Sequence, residues 1–170
     1  MQEKYMTGSP PAALLTRLEL AMLRVAEAFN RWAVFLHQSV SDVGLTAQDV
    51  SLLHSVRMRG SAQNLSELVL FLNRNDVSTL QYTLRKLEDS RLVERIPGKS
   101  KRETGYRMTQ LGIEVTDAYA RIRSELLVTL VGEMPDGERN LTTTAGTLER
   151  LTGIYDQATQ AVLNRSILKA

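Results

Sequence analysis

The chain has 170 residues, enough for one domain with a sizeable core, and the absence of cysteine excludes disulfides, thiolate chemistry and cysteine zinc fingers. The net charge is only +2, but the segment from residue 57 to 107 carries eleven Lys and Arg against six Asp and Glu, and the remainder is net negative. A basic middle between mildly acidic flanks indicates that the middle of the chain meets a polyanion.

The absence of membrane-spanning and secretion-signal patterns bears on where in the cell the protein is found. No segment approaches the ~18 consecutive apolar residues that cross a bilayer, and the first residues lack the basic-then-apolar order of a secretion signal. We therefore expect a cytoplasmic protein with no membrane partner. Residues 1–11 are polar and end in two prolines, which predicts a flexible tail.

A long amphipathic helix is predicted next, from about residue 12 to 41. Its apolar residues recur with spacings that alternate between three and four, so that they form a seam along one helix face. The residues of this N-terminal seam are Leu15, Leu18, Met22, Val25, Phe29, Trp32 and Leu36. The seam either packs in the core of one protomer or joins two protomers, and its length favours dimerisation.

Three helix starts follow in the middle of the chain. Thr46 and Asn64 each precede an acidic residue three positions later, which is typical of a helix N-terminus. The first of these helices is predicted to stop near Gly60. After a polar break, Asp76 is predicted to cap a further helix, Val77–Ser90.

A basic hairpin is predicted after that helix. Two short strands, Leu92–Ile96 and Thr104–Met108, flank the turn dipeptide Pro97–Gly98. Between residues 95 and 107 the hairpin carries five basic residues and one acidic residue. Its charge suits the phosphates of a duplex or the adjacent minor groove.

The C-terminal part is predicted to be helical. Thr109 is expected to cap one helix, and the segment Met134–Gly137 separates it from a last helix with heptad-like apolar spacing. The residues of this C-terminal seam are Leu141, Leu148, Leu151, Tyr155, Ala158 and Val162. We predict one compact, mostly α chain with a small β-hairpin wing, in which residues 46–109 are a winged helix-turn-helix DNA-binding region. Residues 12–45 and 110–170 form a helical dimerisation region.

The helix Val77–Ser90 carries the functional prediction. At 100° per residue, Val77, Leu80, Leu84 and Leu87 cluster on one side, which leaves hydroxyl, amide and basic groups on the other. Such groups hydrogen-bond to base edges and phosphates. The predicted DNA contacts on this helix are Ser78, Thr79, Gln81, Tyr82, Arg85 and Lys86. Those on the wing are Lys99, Lys101 and Arg102.

Short motifs in this region resemble the MarR family of winged-helix regulators. Asn64–Leu68 is similar to the family's first motif helix, and Asp76–Leu80 with Leu84–Glu88 is similar to its recognition helix. Arg91–Arg95 resembles the lead into the family's wing, and Met108–Gly112 resembles the exit from it. The motifs span about residues 64–112, whereas the long terminal helices fit the family by arrangement alone.

The resemblance implies a homodimer that occupies a pseudo-palindromic operator, with each recognition helix in a major groove. It also implies a small ligand, often aromatic or anionic, in a crevice between the dimerisation and DNA-binding regions. The wing departs from the family pattern, because Ser100 or Lys101 stands where an aspartate commonly precedes the arginine, here Arg102. That aspartate usually steadies the arginine by a salt bridge.

Several alternative interpretations remain open. Trp32, Phe35 and Met58, with His37, either line such a ligand crevice or belong to the core, and the core is the more common fate of single aromatic residues. The fold also serves protein-interaction modules that do not bind DNA. An enzyme on a helical scaffold would need a cluster of buried polar groups, and no phosphate loop, GxSxG or HExxH motif is present. We predict no metal and no cofactor.

Overall fold

The computed structural model describes residues 5–100 and 103–167. It divides into two compact units, one ending at Ile122 and one beginning at Arg123. The helices are α1 Pro10–Gln38, α2 Ala47–Arg59, α3 Leu65–Phe71, α4 Val77–Asp89, α5 Gln110–Arg123, α6 Thr129–Gly132 and α7 Gly137–Ile167, with a π-helical turn at Ser124–Val128. The strands are β1 Gln63–Asn64, β2 Val93–Ile96 and β3 Gly105–Met108. The predicted mostly α architecture with a small wing is confirmed.

The helices α2 and α3 begin at the predicted caps. The Thr46 hydroxyl accepts from the Asp49 amide at 3.3 Å, and the Asp49 carboxylate accepts from the Thr46 amide at 2.9 Å. Asn64 and Glu67 make the same reciprocal pair at 3.0 and 2.7 Å. Each exchange satisfies two amides that a helix start leaves without a partner.

The start of α4 differs from the prediction. Asp76 precedes the helix, but its side chain makes no cap hydrogen bond. Its carboxylate is held instead by Arg74, whose Nε donates to Oδ1 at 2.7 Å and whose Nη2 contacts Oδ2. A two-point contact with a guanidinium is stronger than a neutral amide cap, and it lowers the pKa of Asp76 to about 2. The predicted cap is therefore wrong, although the helix begins where predicted.

The wing is a three-stranded antiparallel sheet with the order β1–β3–β2. In the register, Tyr106 lies between Gln63 and Arg95. Strands β2 and β3 each begin one residue inside the predicted span. Strand β1 was not predicted, because two residues are too few to show an alternating pattern.

The core of the first unit holds α4 by one face. Leu80, Leu84 and Leu87 are fully buried, as predicted. Val77 was expected among them but is 41% exposed, and Thr83 is buried on that face instead. A threonine is tolerated there because its hydroxyl donates to Asp49 at 2.9 Å.

The end of the wing fits closely against the start of α5. Thr109 caps this helix as predicted, since its hydroxyl accepts from the Gly112 amide at 3.0 Å. A Cβ at Gly112 would lie 2.0 Å from the carbonyl oxygen of Leu92. Only a glycine permits this approach of α5 to the chain that enters β2.

Much of the N-terminal seam is not covered within its own unit. Leu36 is buried and Trp32 packs against the core, but Val25 is 63% exposed and Phe29 is 54% exposed. The helix is thus anchored at its C-terminal end. In the described ranges, no helix is long and apolar enough to span a bilayer.

In the second unit, a turn separates α6 from α7 at the predicted break, where the Gly137 amide donates to the Met134 carbonyl at 3.0 Å. From residue 123 to 165, where side chains are described, no apolar side chain is buried. Leu141 and Val162 of the C-terminal seam are at least half exposed. The C-terminal seam therefore exposes apolar surface at these positions.

Candidate nucleic-acid interface

Five predicted contact residues form an exposed row on α4. Ser78, Thr79, Gln81, Tyr82 and Arg85 all lie on the solvent side of the helix. Tyr82 is 68% exposed, although a tyrosine ring usually packs against other residues. The row presents hydroxyl, amide and guanidinium groups from a helix that buried leucines hold on the opposite face.

Lys86, predicted to share this face, is directed elsewhere. Its Nζ donates to the carboxylate of Asp49 at 2.7 Å, and its side chain is 30% exposed. Lys86 lies about 60° around the helix from the buried Thr83, so its side chain reaches α2. Periodicity could not show this, because the partner stands 37 residues earlier in the sequence.

The tip of the hairpin is partly described. Lys99 is exposed, and its backbone amide donates to the Glu103 carboxylate at 3.0 Å. Glu103, the one acidic residue between residues 95 and 107, is thereby turned back onto its own loop. Gly98 permits the tight loop, since a Cβ there would lie 2.4 Å from the Glu103 carbonyl oxygen. The other two wing residues, Lys101 and Arg102, lie outside the described residues.

A cleft of about 270 Å³ lies between α4 and the wing. Gln81 and Arg85 line it from the helix, and Arg95, Thr104 and Tyr106 line it from the hairpin. The Arg95 guanidinium lies 5.9 Å from the centre of the Tyr106 ring. Arg95, Thr104 and Tyr106 were not among the predicted DNA contacts. Thr104 and Tyr106 stand two residues apart on a predicted strand, so their side chains are expected on the same face of the hairpin, and this spacing could have indicated a shared surface.

Ion pairs redistribute the positive charge of this region. Arg57 pairs with Asp117 at 2.9 Å, Arg107 with Glu94 at 2.5 Å, and Arg95 with Glu88 at 3.3 Å. Within residues 5–100 and 103–167, Arg85 and Lys99 take part in no ion pair. Arg85 and Lys99 lie on the outer face of α4 and at the hairpin tip. Arg59, at the end of α2, and Arg91, just after α4, likewise take part in no ion pair among the described residues.

The residues considered for a ligand crevice lie in different settings. Trp32 packs against the core, whereas Phe35 and Met58 are exposed. His37 is buried, and its Nε2 lies 3.2 Å from the Val43 carbonyl, to which it donates. Burial lowers the pKa of His37 more than this hydrogen bond raises it. A ligand role for Trp32, Phe35 and Met58 stays a prediction.

One family model matches the chain. Residues 45–112 match a winged helix DNA-binding domain. The matched range contains α2 to α4, the wing and the start of α5, and therefore includes the exposed row and the cleft. No curated protein sequence matches the chain significantly.

Solved structures resemble nearly the whole chain. A MarR family transcriptional regulator from Silicibacter pomeroyi has a TM-score of 0.64 at 22% identity, over 90% of this chain and 99% of that one. A MarR/EmrR family regulator from Acinetobacter has a TM-score of 0.64 at 17% identity, over 84% and 98%. The Staphylococcus aureus MepR–DNA complex has a TM-score of 0.61 at 19% identity, over 79% and 94%.

The chain therefore contains a winged helix DNA-binding domain at residues 45–112. Its fold is that of the MarR-family transcription regulators, so the resemblance noted in the sequence is confirmed for the architecture.

Proposed function

We propose that the chain is a sequence-specific transcription regulator that binds a pseudo-palindromic operator as a homodimer. The exposed row on α4, beside the basic wing, is the observation that carries this proposal. In this arrangement α4 enters the major groove and the hairpin lies along the neighbouring backbone or minor groove. Two of the structural neighbours are MarR-type transcriptional regulators and a third, MepR, was solved in complex with DNA, which supports the proposal; we propose no catalytic activity.

The side chains of the exposed row suit different chemical groups of the DNA. Arg85 can donate two hydrogen bonds to a guanine, and Gln81 can do the same with an adenine. Ser78 and Thr79, in the first turn of α4, suit phosphates or base edges, and Tyr82 adds apolar contact. Lys99, together with Lys101 and Arg102, supplies charge from the wing and makes the affinity depend on salt.

The two seams support the dimer. An isolated helix in water gains little stability from propensity alone, so the 31-residue α7 needs a surface to pack against. Its seam repeats at heptad spacing, which is the pattern of helices that pack side by side. A second copy of the chain offers the same seams, and two-fold symmetry would place two copies of α4 on one side of the dimer.

Release of DNA by a small ligand is the remaining part of the proposal. Phe35 and Met58 expose apolar atoms in the first unit, and Trp32 is the one tryptophan of the chain. Tryptophan fluorescence therefore reports directly on this region. A ligand that quenches Trp32 and lowers DNA affinity in the same concentration range would support the role. A ligand that releases DNA with no change at Trp32 would place the crevice elsewhere.

The test is selection of genomic fragments by the full chain, followed by mobility-shift titrations with the selected DNA. Arg85→Ala is expected to weaken specific binding by roughly 1–3 kcal/mol. Arg150→Ala on α7, which also removes one exposed arginine, is the control and is expected to leave affinity unchanged. Unchanged affinity in Arg85→Ala would reject this role. A chain that retains no DNA at low salt would instead be a protein-interaction module.

A further inference from the structure

A buried carboxylate joins the recognition helix to the helix behind it. Asp49 of α2 has a side chain that is only 6% exposed. Its Oδ1 accepts from the Thr83 hydroxyl at 2.9 Å. Its Oδ2 accepts from the Thr46 amide at 2.9 Å and from the Lys86 ammonium at 2.7 Å. One carboxylate thus caps its own helix and holds two side chains of α4.

The two α4 partners stand three residues apart, which places them on one helix face a turn apart. The leucines of α4 fill the core, but apolar packing has no fixed direction and tolerates small rotations of a helix. Hydrogen bonds are directional, and two of them at different heights restrict both rotation and sliding. Asp49 therefore fixes how the exposed row is presented.

The network is complete enough to keep the carboxylate charged. Burial alone would raise the pKa of Asp49, but the hydrogen bonds from Lys86, Thr46 and Thr83 outweigh it and leave the pKa below its ordinary value. A buried carboxylate without these donors would be strongly unfavourable. Asp49 therefore makes these contacts as a carboxylate.

We propose that Asp49 is a positioning residue for the recognition helix, and that Lys86 acts through it rather than by contacting a phosphate. The inference rests on the proposed function, since positioning matters for reading base edges. Contacts to bases are effective only when side chains are held within about 0.5 Å of their productive geometry. A looser α4 would still meet phosphates, but it would discriminate less well between sequences.

The test compares Asp49→Asn, Lys86→Met and the double variant in titrations against selected and unrelated DNA. The double variant keeps the net charge of the chain. The asparagine can direct its one carbonyl oxygen to the Thr46 amide and its NH2 group to the Thr83 hydroxyl, which can accept as well as donate. We expect each variant to lose about tenfold in operator affinity, with the double variant no worse than either single one. Affinity for unrelated DNA and its salt dependence should not change.

If Lys86 contacts a phosphate directly, the variants should change DNA affinity in a different way. Lys86→Met would then weaken operator and unrelated DNA together and reduce the salt slope by about one. Asp49→Asn would leave both affinities intact. Either of these results overturns the proposal. Thermal unfolding of each variant identifies any single variant that does not fold, and the charge-neutral double variant then carries the comparison.

Hydrogen exchange tests the positioning without DNA. In the double variant, the backbone amides of α4 should exchange about tenfold faster than in the original chain, whereas those of α5 should be unchanged. Equal protection of α4 overturns the positioning role even if the chain binds DNA. If selection recovers no DNA, the proposed function fails, and faster exchange confined to α4 would still support the role of Asp49 in holding the helix.

Discussion

Of the two units of the chain, the one that ends at Ile122 contains every buried apolar side chain of the described residues, and the one that begins at Arg123 contains none. The first unit can therefore hold α4 and the wing in place by its own core. The second unit exposes apolar side chains along a helix of 31 residues. A helix of this kind is stabilised by packing, so this unit depends on a further surface.

This difference in apolar burial suits the two units to different tasks. The first unit presents a defined polar surface from a rigid base, which is what recognition of a sequence requires. The second unit presents an apolar seam, which is what assembly requires. Variants that act on one unit should therefore leave the other function largely intact, except where DNA binding needs two copies at once.

The largest effect should come from a charge in the C-terminal seam. Leu148→Glu places a carboxylate where an apolar side chain is expected to be covered, and a two-fold dimer receives the change twice. We expect the dimer dissociation constant to rise by roughly a hundredfold, measured by sedimentation, with a parallel loss of operator affinity. Gln160→Glu, on the face of α7 opposite the seam, is the matched control. A Leu148→Glu protein that sediments unchanged would contradict the assigned interface.

The next effect concerns the first unit alone. Gly112→Ala would force a Cβ to within 2.0 Å of the Leu92 carbonyl oxygen, so that β2 or α5 must move. We expect a loss of about 1–3 kcal/mol in the free energy of unfolding by denaturant, with the dimer intact. Gly44→Ala is the control, because a Cβ there meets nothing within 4 Å. Equal stability of the two variants would show that the wing and α5 do not pack as described.

The smallest effect is a pH dependence that belongs to the first unit. The pKa of His37 is lowered by burial, so the unfolded chain binds the proton more readily than the folded one. The stability from neutral His37 is complete above about pH 6.5 and is lost as the pH falls toward the lower folded pKa. The melting temperature should decrease from pH 7 to 5, and His37→Gln should flatten that decrease. An identical slope in the variant would exclude His37 as its origin.

Local patterns were enough to predict the helix starts at Thr46 and Asn64, because a capping box involves neighbours only three residues apart. The buried leucines of α4 followed from helical periodicity in the same way. The direction of Lys86 could not be predicted, since it depends on Asp49 in another helix. The capping role given to Asp76 failed for a related reason, because a nearby arginine competed for the carboxylate.

The charge of residues 57–107 also depends on contacts that local sequence patterns cannot show. Counting residues correctly located a basic region, but it could not show which cations are already paired. Arg95 and Arg107 each pair with a carboxylate that the fold brings close. Exposed pairs of this kind contribute little to stability, yet they reduce the charge available to a partner. The proposed DNA-binding surface therefore has fewer unpaired cations than the count of basic residues indicates, and Arg85 and Lys99 are two of them.

Methylation protection on the selected operator tests the central claim most directly, because it reports on guanine N7 in the major groove. Two dimer-related copies of α4 should protect guanines in two patches about 10 base pairs apart, and Arg85→Ala should lose protection at the same guanine in each patch. Specific binding with no change in guanine reactivity, or with protection unaffected by Arg85→Ala, would contradict the account.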